Sequence, residues 1–221
     1  MSTSATPSTP STTPAPLPAR MIALRAADNF VLNACSPTDP HKGVRETLGN
    51  NRGPEIDNYR KMMGYDPEAP DPWCASSGGC QFIVSEKRIN AELAAAGDTR
   101  RVALPKWFPR SAKQNSAACA SYKQAAREAG VWVPVSRVIQ GKWQPRKGDI
   151  VIFDWDAQPG NDHFGIVLAF DANTHILSTC EGNTTPAPGV SRESNHGDGV
   201  WSKRRTLGQT GMGGGFVMMD C

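Results

Sequence analysis

The sequence predicts an α+β protein in which N-terminal helices pack on an antiparallel β-sheet. Helix-like apolar spacing is confined to the chain before Gly130, whereas the remainder carries short β-rich runs separated by Gly, Pro, Asn and Asp. Helices followed by strands favour separate layers over alternating βαβ units. The 221 residues, 38% of them apolar, suit one ordinary domain with its own core and a small appendage.

The first two expected helices carry apolar residues along one face. Residues 19–34 form an amphipathic helix that is ended by the two prolines that follow it. A second helix follows Pro54, because proline suits the first helical turn. The inward-facing residues of these helices are Ile22, Ala26, Phe30, Ile56, Tyr59 and Met63.

Two further helices precede the strands. One spans 74–96, although Gly78 and Gly79 weaken its first turns. The other spans 116–129, with Ser116 as its N-cap. The longer helix draws part of its buried stripe from Phe82, Ile89 and Leu93.

The ends of the chain differ in character. Residues 1–18 are Ser, Thr, Pro and Ala except for Met1 and Leu17, so we expect a disordered leader there. Residues 19–42 then form a helical extension ahead of the main domain at 43–221. The expected strands are at 149–155, 163–170, 175–180 and 215–219.

Charge is distributed unevenly, although the formal net charge is only +3. Between residues 99 and 148 eleven Lys and Arg face one acid, Glu128, which leaves that segment at +10 and the remainder at −7. A basic stretch attracts anionic polymers, but a solvated face is its commoner meaning. No nucleic-acid-binding motif accompanies the charge, so we expect no nucleic acid partner.

The sequence shows neither a membrane-spanning segment nor a secretory signal. No apolar run approaches the roughly 18 residues that a spanning helix needs. The N-terminus also lacks a basic region followed by an apolar stretch, so we expect no secretory signal and synthesis in the cytoplasm.

Cys74 is the first candidate for chemistry, because it follows the proline-punctuated loop DPEAPDP and begins an expected helix. The positive end of the helix dipole and the unpaired N–H groups there lower the pKa of a thiol. The same N–H groups can stabilise an oxyanion. A buried structural cysteine is the alternative. The neighbouring Trp73 is a candidate for lining a substrate groove, although packing is the commoner role of tryptophan.

Two histidines begin expected strands and are therefore candidate bases. His163 opens the run HFGIV, and His175 opens HILSTC, so position alone does not separate them. Glu181 and Asn183 follow the second of these strands, where a carboxylate or amide can orient an imidazole through its Nδ1. A cysteine, a histidine and an orienting polar residue are the minimum arrangement for thiol acyl transfer.

The order of five short segments resembles one known family. NRGPEID, DPWCA, KGDIVIF, DHFGIV and EGN occur in series. Together they resemble the CHAP family, the cysteine, histidine-dependent amidohydrolase/peptidase domains of bacterial and phage cell-wall hydrolases. The resemblance covers roughly residues 43–221, and it implies a papain-like fold.

The resemblance implies a role for each candidate residue. Cys74 matches the nucleophile, His163 the general base, Glu181 the residue that orients the histidine, and Asn183 an accompanying polar residue. His175 has no counterpart. The implied activity is hydrolysis of a peptidoglycan amide, either as a muramoyl-alanine amidase or as a stem-peptide or cross-link endopeptidase.

The chain departs from the family pattern in two places. The aromatic-rich stretch that often follows the cysteine is preceded here by the insertion SSGGCQ. The acidic calcium loop found upstream of the cysteine in some phage members is missing. We therefore predict no metal and no other cofactor.

The remaining cysteines leave several schemes open. The five are an odd number, so a monomer would keep at least one further free thiol, and a clasp between Cys35 and Cys221 is one scheme. Cys74 and Cys80 are six residues apart without a nearby histidine pair, which disfavours zinc. The other positions left unassigned are Cys119 and Cys180.

Two alternatives compete with the CHAP interpretation. One is a non-catalytic, disulfide-stabilised module that binds the wall through its basic segment, in which Cys74 would be paired. The other is an NlpC-type cysteine endopeptidase, whose cleavage products would distinguish it.

Delivery follows from the expected lack of a signal peptide. A wall hydrolase of this kind acts in the periplasm or cell wall as a phage endolysin, a tail-associated lysin or an antibacterial toxin injected by a type VI-like secretion apparatus. An effector would need an immunity protein, for which the basic 99–148 segment is a conceivable docking surface. Otherwise we expect a monomer whose partner is peptidoglycan.

Overall fold

The computed structural model describes residues 17–36, 39, 42–155, 162–185 and 198–220. The predicted leader therefore lies outside the described residues except for its last two positions. The described part combines α-helices with an antiparallel sheet, which confirms the α+β class. None of its helices has the length and apolar character needed to cross a bilayer.

The four longer of the described helices precede the first strand, as predicted, and a short fifth helix follows it. Their inward-facing apolar residues are buried at the positions expected for α1 and α2. The described helices are α1 (Arg20–Leu32), α2 (Pro54–Met62), α3 (Cys74–Ala95), α4 (Cys119–Glu128) and the short α5 (Val135–Ile139).

The strands form one six-stranded sheet in the order β1-β6-β2-β3-β4-β5, and every neighbouring pair is antiparallel. Both faces of the sheet are buried at β2, where side chains alternate between the two sides. Ile150 and Ile152 face the large helices, and Val151 and Phe153 pack in a second apolar cluster on the other side. The strands are β1 (Trp132–Pro134), β2 (Ile150–Asp154), β3 (Asp162–Asp171), β4 (Ile176–Thr184), β5 (Gly199–Thr206) and β6 (Gly215–Val217).

Helices α1, α3 and α4 contribute to one apolar cluster on one face of the sheet. The N-terminal helix is also tied to the sheet by charge, since Arg20 Nη1 lies 2.6 Å from Oδ1 of the fully buried Asp149. The same Asp149 oxygen accepts the backbone N–H of Met219 at 3.2 Å. Residues 19–34 are thus packed into the same core as the rest of the chain.

Close packing explains the glycine pair that weakens the start of α3. A Cβ on Gly78 would stand 2.2 Å from Cε1 of Phe164 in β3, and one on Gly79 would stand 2.1 Å from the hydroxyl of Tyr122 in α4. Both glycines let α3 approach its neighbours directly behind Cys74, at the cost of helix propensity.

Several element predictions need correction. Helix α4 begins at Cys119 rather than after Ser116, because Asn115 takes a left-handed φ of 50° and the backbone turns before entering the helix. Strand β4 continues through Glu181, which was expected to follow it. Strands β1 and β5 and helix α5 were not predicted.

Candidate active site

Cys74 is the first residue of α3 and is only 6% exposed. The N-cap residue Trp73 makes no side-chain capping bond, and no acidic residue lies in the first turn. The amide groups at this helix start therefore keep their partial positive charge beside the sulfur.

Three groups surround the Cys74 sulfur. Its Sγ lies 3.6 Å from Sγ of Cys119, and it is hydrogen-bonded by the imidazole of His163 and the backbone amide of Phe164. The Cys119 hydrogen bond is the largest cause that lowers the pKa of Cys74. Burial opposes it, and the bonds and charge of the other groups bring the pKa well below that of an ordinary thiol.

His163 lies near the start of β3, and Glu181 shares its face of the sheet, because Glu181 pairs with Gly165 two residues along β3. The Nε2 atom of His163 is 3.1 Å from Oε2 of Glu181. The carboxylate therefore holds Nε2, rather than Nδ1 as predicted, and leaves Nδ1 as the second ring nitrogen to meet Cys74.

The pKa values of His163 and Glu181 are both shifted so that the charged form of each side chain is favoured. Burial lowers the pKa of His163, but the bonds and charges of Cys74 and Glu181 outweigh it and raise that pKa to about 9. Burial raises the pKa of Glu181, but Arg205 and His163 lower it to about 2. Together with the lowered pKa of Cys74, these shifts favour a thiolate, an imidazolium and a carboxylate in series.

Glu181 is fully buried and depends on partners that the sequence did not reveal. Arg205 Nε in β5 donates to Oε1 at 2.7 Å, and another guanidinium nitrogen bonds Oε2. Thr179 Oγ1 donates to Oε1 at 2.6 Å. These donors keep the carboxylate ionised in a place where desolvation would otherwise neutralise it.

An aromatic wall covers the imidazole. Trp155 stacks on His163 with ring centroids 5.8 Å apart and planes 21° apart, and it stacks on Phe153 as well. The Arg205 guanidinium lies over the rings of Phe153 and Trp155. Trp155 is 51% exposed, so it forms the solvent-facing side of the site.

Trp73 is placed in the core rather than on an open groove. Its side chain is fully buried, its Nε1 donates to Oε1 of Glu46 at 3.1 Å, and its ring stacks on Tyr59. A Cβ on Gly182 would lie 2.9 Å from this ring. This position supports a packing role, in place of the contact with substrate that was predicted for Trp73.

The other two candidates are Asn183 and His175. Asn183 lies in β4 with a left-handed φ of 53°, and its buried Oδ1 has no hydrogen-bond partner among the described residues. His175 lies in the turn before β4, where its ring stacks on Phe170 at 6.4 Å. The structure therefore brings together Cys74, His163 and Glu181, and leaves His175 outside the site.

Comparison of the chain with protein-family models, curated proteins and solved structures found no match. The resemblance to CHAP domains thus remains a prediction from the ordered motifs. No group of three or more His, Cys, Asp or Glu side chains within the described ranges is arranged to hold a metal ion.

The cysteines bear on the alternative of a disulfide-stabilised module. Five of them are buried and form no disulfide among the described residues: Cys35, Cys74, Cys80, Cys119 and Cys180. Cys221 lies outside the described residues, and so does the scheme that joins it to Cys35. A free Cys74 beside a charged imidazole fits nucleophilic chemistry better than a structural cross-link.

Proposed function

We propose that the protein is a cysteine amidase or endopeptidase that hydrolyses an amide bond of peptidoglycan. The observation that carries the proposal is the continuous series from Cys74 at the start of α3, through His163, to the ionised Glu181. This arrangement supports thiol acyl transfer. The choice of peptidoglycan rests on the order of the CHAP-like motifs.

The mechanism starts from the charged pair instead of a neutral thiol. The Cys74 thiolate attacks the carbonyl carbon, and the backbone amides at the start of α3 stabilise the oxyanion. His163 gives its proton to the departing amine as the C–N bond breaks. It then takes a proton from the water that attacks the thioester, and the acid product leaves as Cys74 returns to the thiolate. Glu181 holds the ring throughout.

Fold and delivery extend the proposal. We assign the chain to the papain-like architecture, because a cysteine at a helix start meets a histidine on an antiparallel sheet. We further propose that it acts in the periplasm or wall, as a phage lysin or an injected antibacterial effector. An effector would be neutralised by an immunity protein in the producing cell.

The experiment that tests the proposal is digestion of purified peptidoglycan, followed by mass spectrometry of the fragments. Cleavage at the muramoyl-alanine bond would identify an amidase, and cleavage within the stem or cross-link an endopeptidase. Fragments released only by breakage of glycosidic bonds, or an undigested polymer, would contradict the proposal.

A further inference from the structure

A second cysteine stands beside the proposed nucleophile. Cys119 is the first residue of α4, 45 positions along the chain from Cys74, and the two sulfurs are 3.6 Å apart. Both side chains are buried. The packing of α3 against α4 therefore creates a buried pair of thiols at the reacting end of the site.

The starts of both helices lack compensating negative groups. The N-cap residues Trp73 and Ala118 make no side-chain capping bonds, and neither first turn contains an acidic residue. Because N-terminal amides carry partial positive charge, two positive helix ends converge on the sulfur pair. A single negative charge shared with this pair is stabilised from both sides.

We propose that Cys119 is a positioning residue whose S–H donates a hydrogen bond to the Cys74 thiolate and holds it charged and aimed. A hydrogen bond to an ionised acceptor is stronger than one between neutral groups, and a donor that bonds the charged form of a group favours that form. This role rests on the proposed function only for its effect on hydrolysis, since ionisation of Cys74 is measurable without substrate.

The surroundings decide which sulfur keeps the proton. His163 bonds Cys74 and places its positive charge there. Two adjacent thiolates would repel each other in a buried site, so the remaining proton stays on Cys119. Cys119 is then the donor and Cys74 the acceptor, which keeps the reactive sulfur next to the acid that protonates the leaving amine.

The test measures the alkylation rate of Cys74 by iodoacetamide as a function of pH, under a reductant that prevents disulfide formation. Peptide mass spectrometry assigns the label to each cysteine. With Cys119→Ala we expect the alkylation midpoint to move to higher pH and the rate at neutral pH to fall about three- to tenfold. Cys119→Ser should restore most of the rate, because its hydroxyl also donates.

Controls separate the hydrogen bond from packing. Cys119→Val fills the space without a hydrogen-bond donor and should show the same alkylation profile as Cys119→Ala. If Cys119→Ala folds poorly, Cys119→Val provides the test of the hydrogen bond. Cys80→Ala removes a buried thiol of α3 that contacts the Met62 sulfur, and should leave the alkylation profile unchanged. The ratio kcat/KM on peptidoglycan should follow the same order as the alkylation rates.

Two results would overturn the positioning role. One is an unchanged alkylation midpoint in folded Cys119→Ala, and the other is an equal shift in the Ser and Ala variants, which packing alone would explain. If the wild type leaves peptidoglycan intact while the alkylation order holds, the proposed function fails and the positioning role stands.

Discussion

His163 links the two halves of the site, since it bonds the sulfur of Cys74 on one side and the carboxylate of Glu181 on the other. Its pKa of about 9 means that the ring is charged at neutral pH. In the proposed reaction the histidine therefore starts as an acid that already carries its proton. The sequence-based expectation is a base beside a neutral thiol, and the two differ in the charge state from which the reaction begins.

The pH dependence of hydrolysis follows from this charge state. Activity needs the Cys74 thiolate, which is lost at low pH, and the His163 imidazolium, which is lost as pH rises through about 9. We expect a bell-shaped profile of kcat/KM with its alkaline limb near 9. An alkaline limb near pH 6.5, the ordinary pKa of histidine, would show that Cys74 and His163 do not form a charged pair.

Replacement of Glu181 by Gln should act on the histidine and on the fold together. His163 loses its anionic partner, so its pKa falls, the alkaline limb moves to lower pH and kcat/KM drops by about 10²–10⁴-fold. Arg205 is left facing a neutral amide, which destabilises the fold by about 3–5 kcal/mol. pH–rate profiles and denaturant unfolding measure the two effects.

The sign of the stability effect can be checked with pH. The folded pKa of Glu181 is about 2, below its ordinary value of 4.5, so its contribution is present above pH 4.5 and is lost as pH falls toward 2. Glu128→Gln, at an exposed position of α4, is the control. Equal unfolding free energies for both variants at neutral pH would contradict the role of the buried carboxylate.

The residues of the proposed reaction are easier to recognise in the sequence than the residues that support them. Cys74 and His163 were identified because each lies at or near the start of an element and belongs to an ordered motif. Arg205 was missed because β5 itself was not predicted. The inward side of this strand carries charged side chains around Arg205, so its sequence lacks the apolar alternation typical of a strand. Cys119 was missed because only the packing of two helices brings it near Cys74.

At the scale of elements, the approach of α3 to the sheet and to α4 sets the position of Cys74. Gly78 and Gly79 permit contacts with Phe164 and Tyr122 that any side chain would block. Helix propensity alone counts these glycines against the helix, so no reason for them is visible in the sequence. The reason lies in tertiary packing one turn behind Cys74.

A methyl group at position 78 should push α3 away from β3. Gly78→Ala places a Cβ where the Phe164 ring lies, so we expect a loss of about 1–3 kcal/mol in the free energy of unfolding. The rate of hydrolysis should fall as well, because α3 carries Cys74. Gly208→Ala is the control, since a Cβ there would meet nothing within 4 Å. Similar unfolding curves for the two variants would contradict this packing.

At the scale of the whole molecule, residues 19–34 share the core with α3 and the sheet. The amphipathic pattern predicted the helix and its buried face, but not what the face would cover. The antiparallel layering was predicted because helical and strand-like segments are separated along the chain. The strand order was not, since it depends on pairings such as that of β6 between β1 and β2.

Phe30 tests whether α1 is an integral part of the fold. Its side chain is fully buried in the cluster shared with α3, so Phe30→Ala should destabilise the protein by about 3–5 kcal/mol. Leu32→Ala removes a side chain that is 75% exposed and should change stability little. Thermal and denaturant unfolding measure both, and equal effects would show that α1 is not packed as described.

The central claim is that Cys74 is the nucleophile of an amide hydrolase, and Cys74→Ala tests it most directly. Wild type, Cys74→Ala and Cys80→Ala are incubated with purified peptidoglycan, and the released fragments are quantified by mass spectrometry. We expect Cys80→Ala to cut like wild type, and Cys74→Ala to remain folded while losing about 10³–10⁶-fold in rate. Cleavage by folded Cys74→Ala at the wild-type rate would contradict the claim.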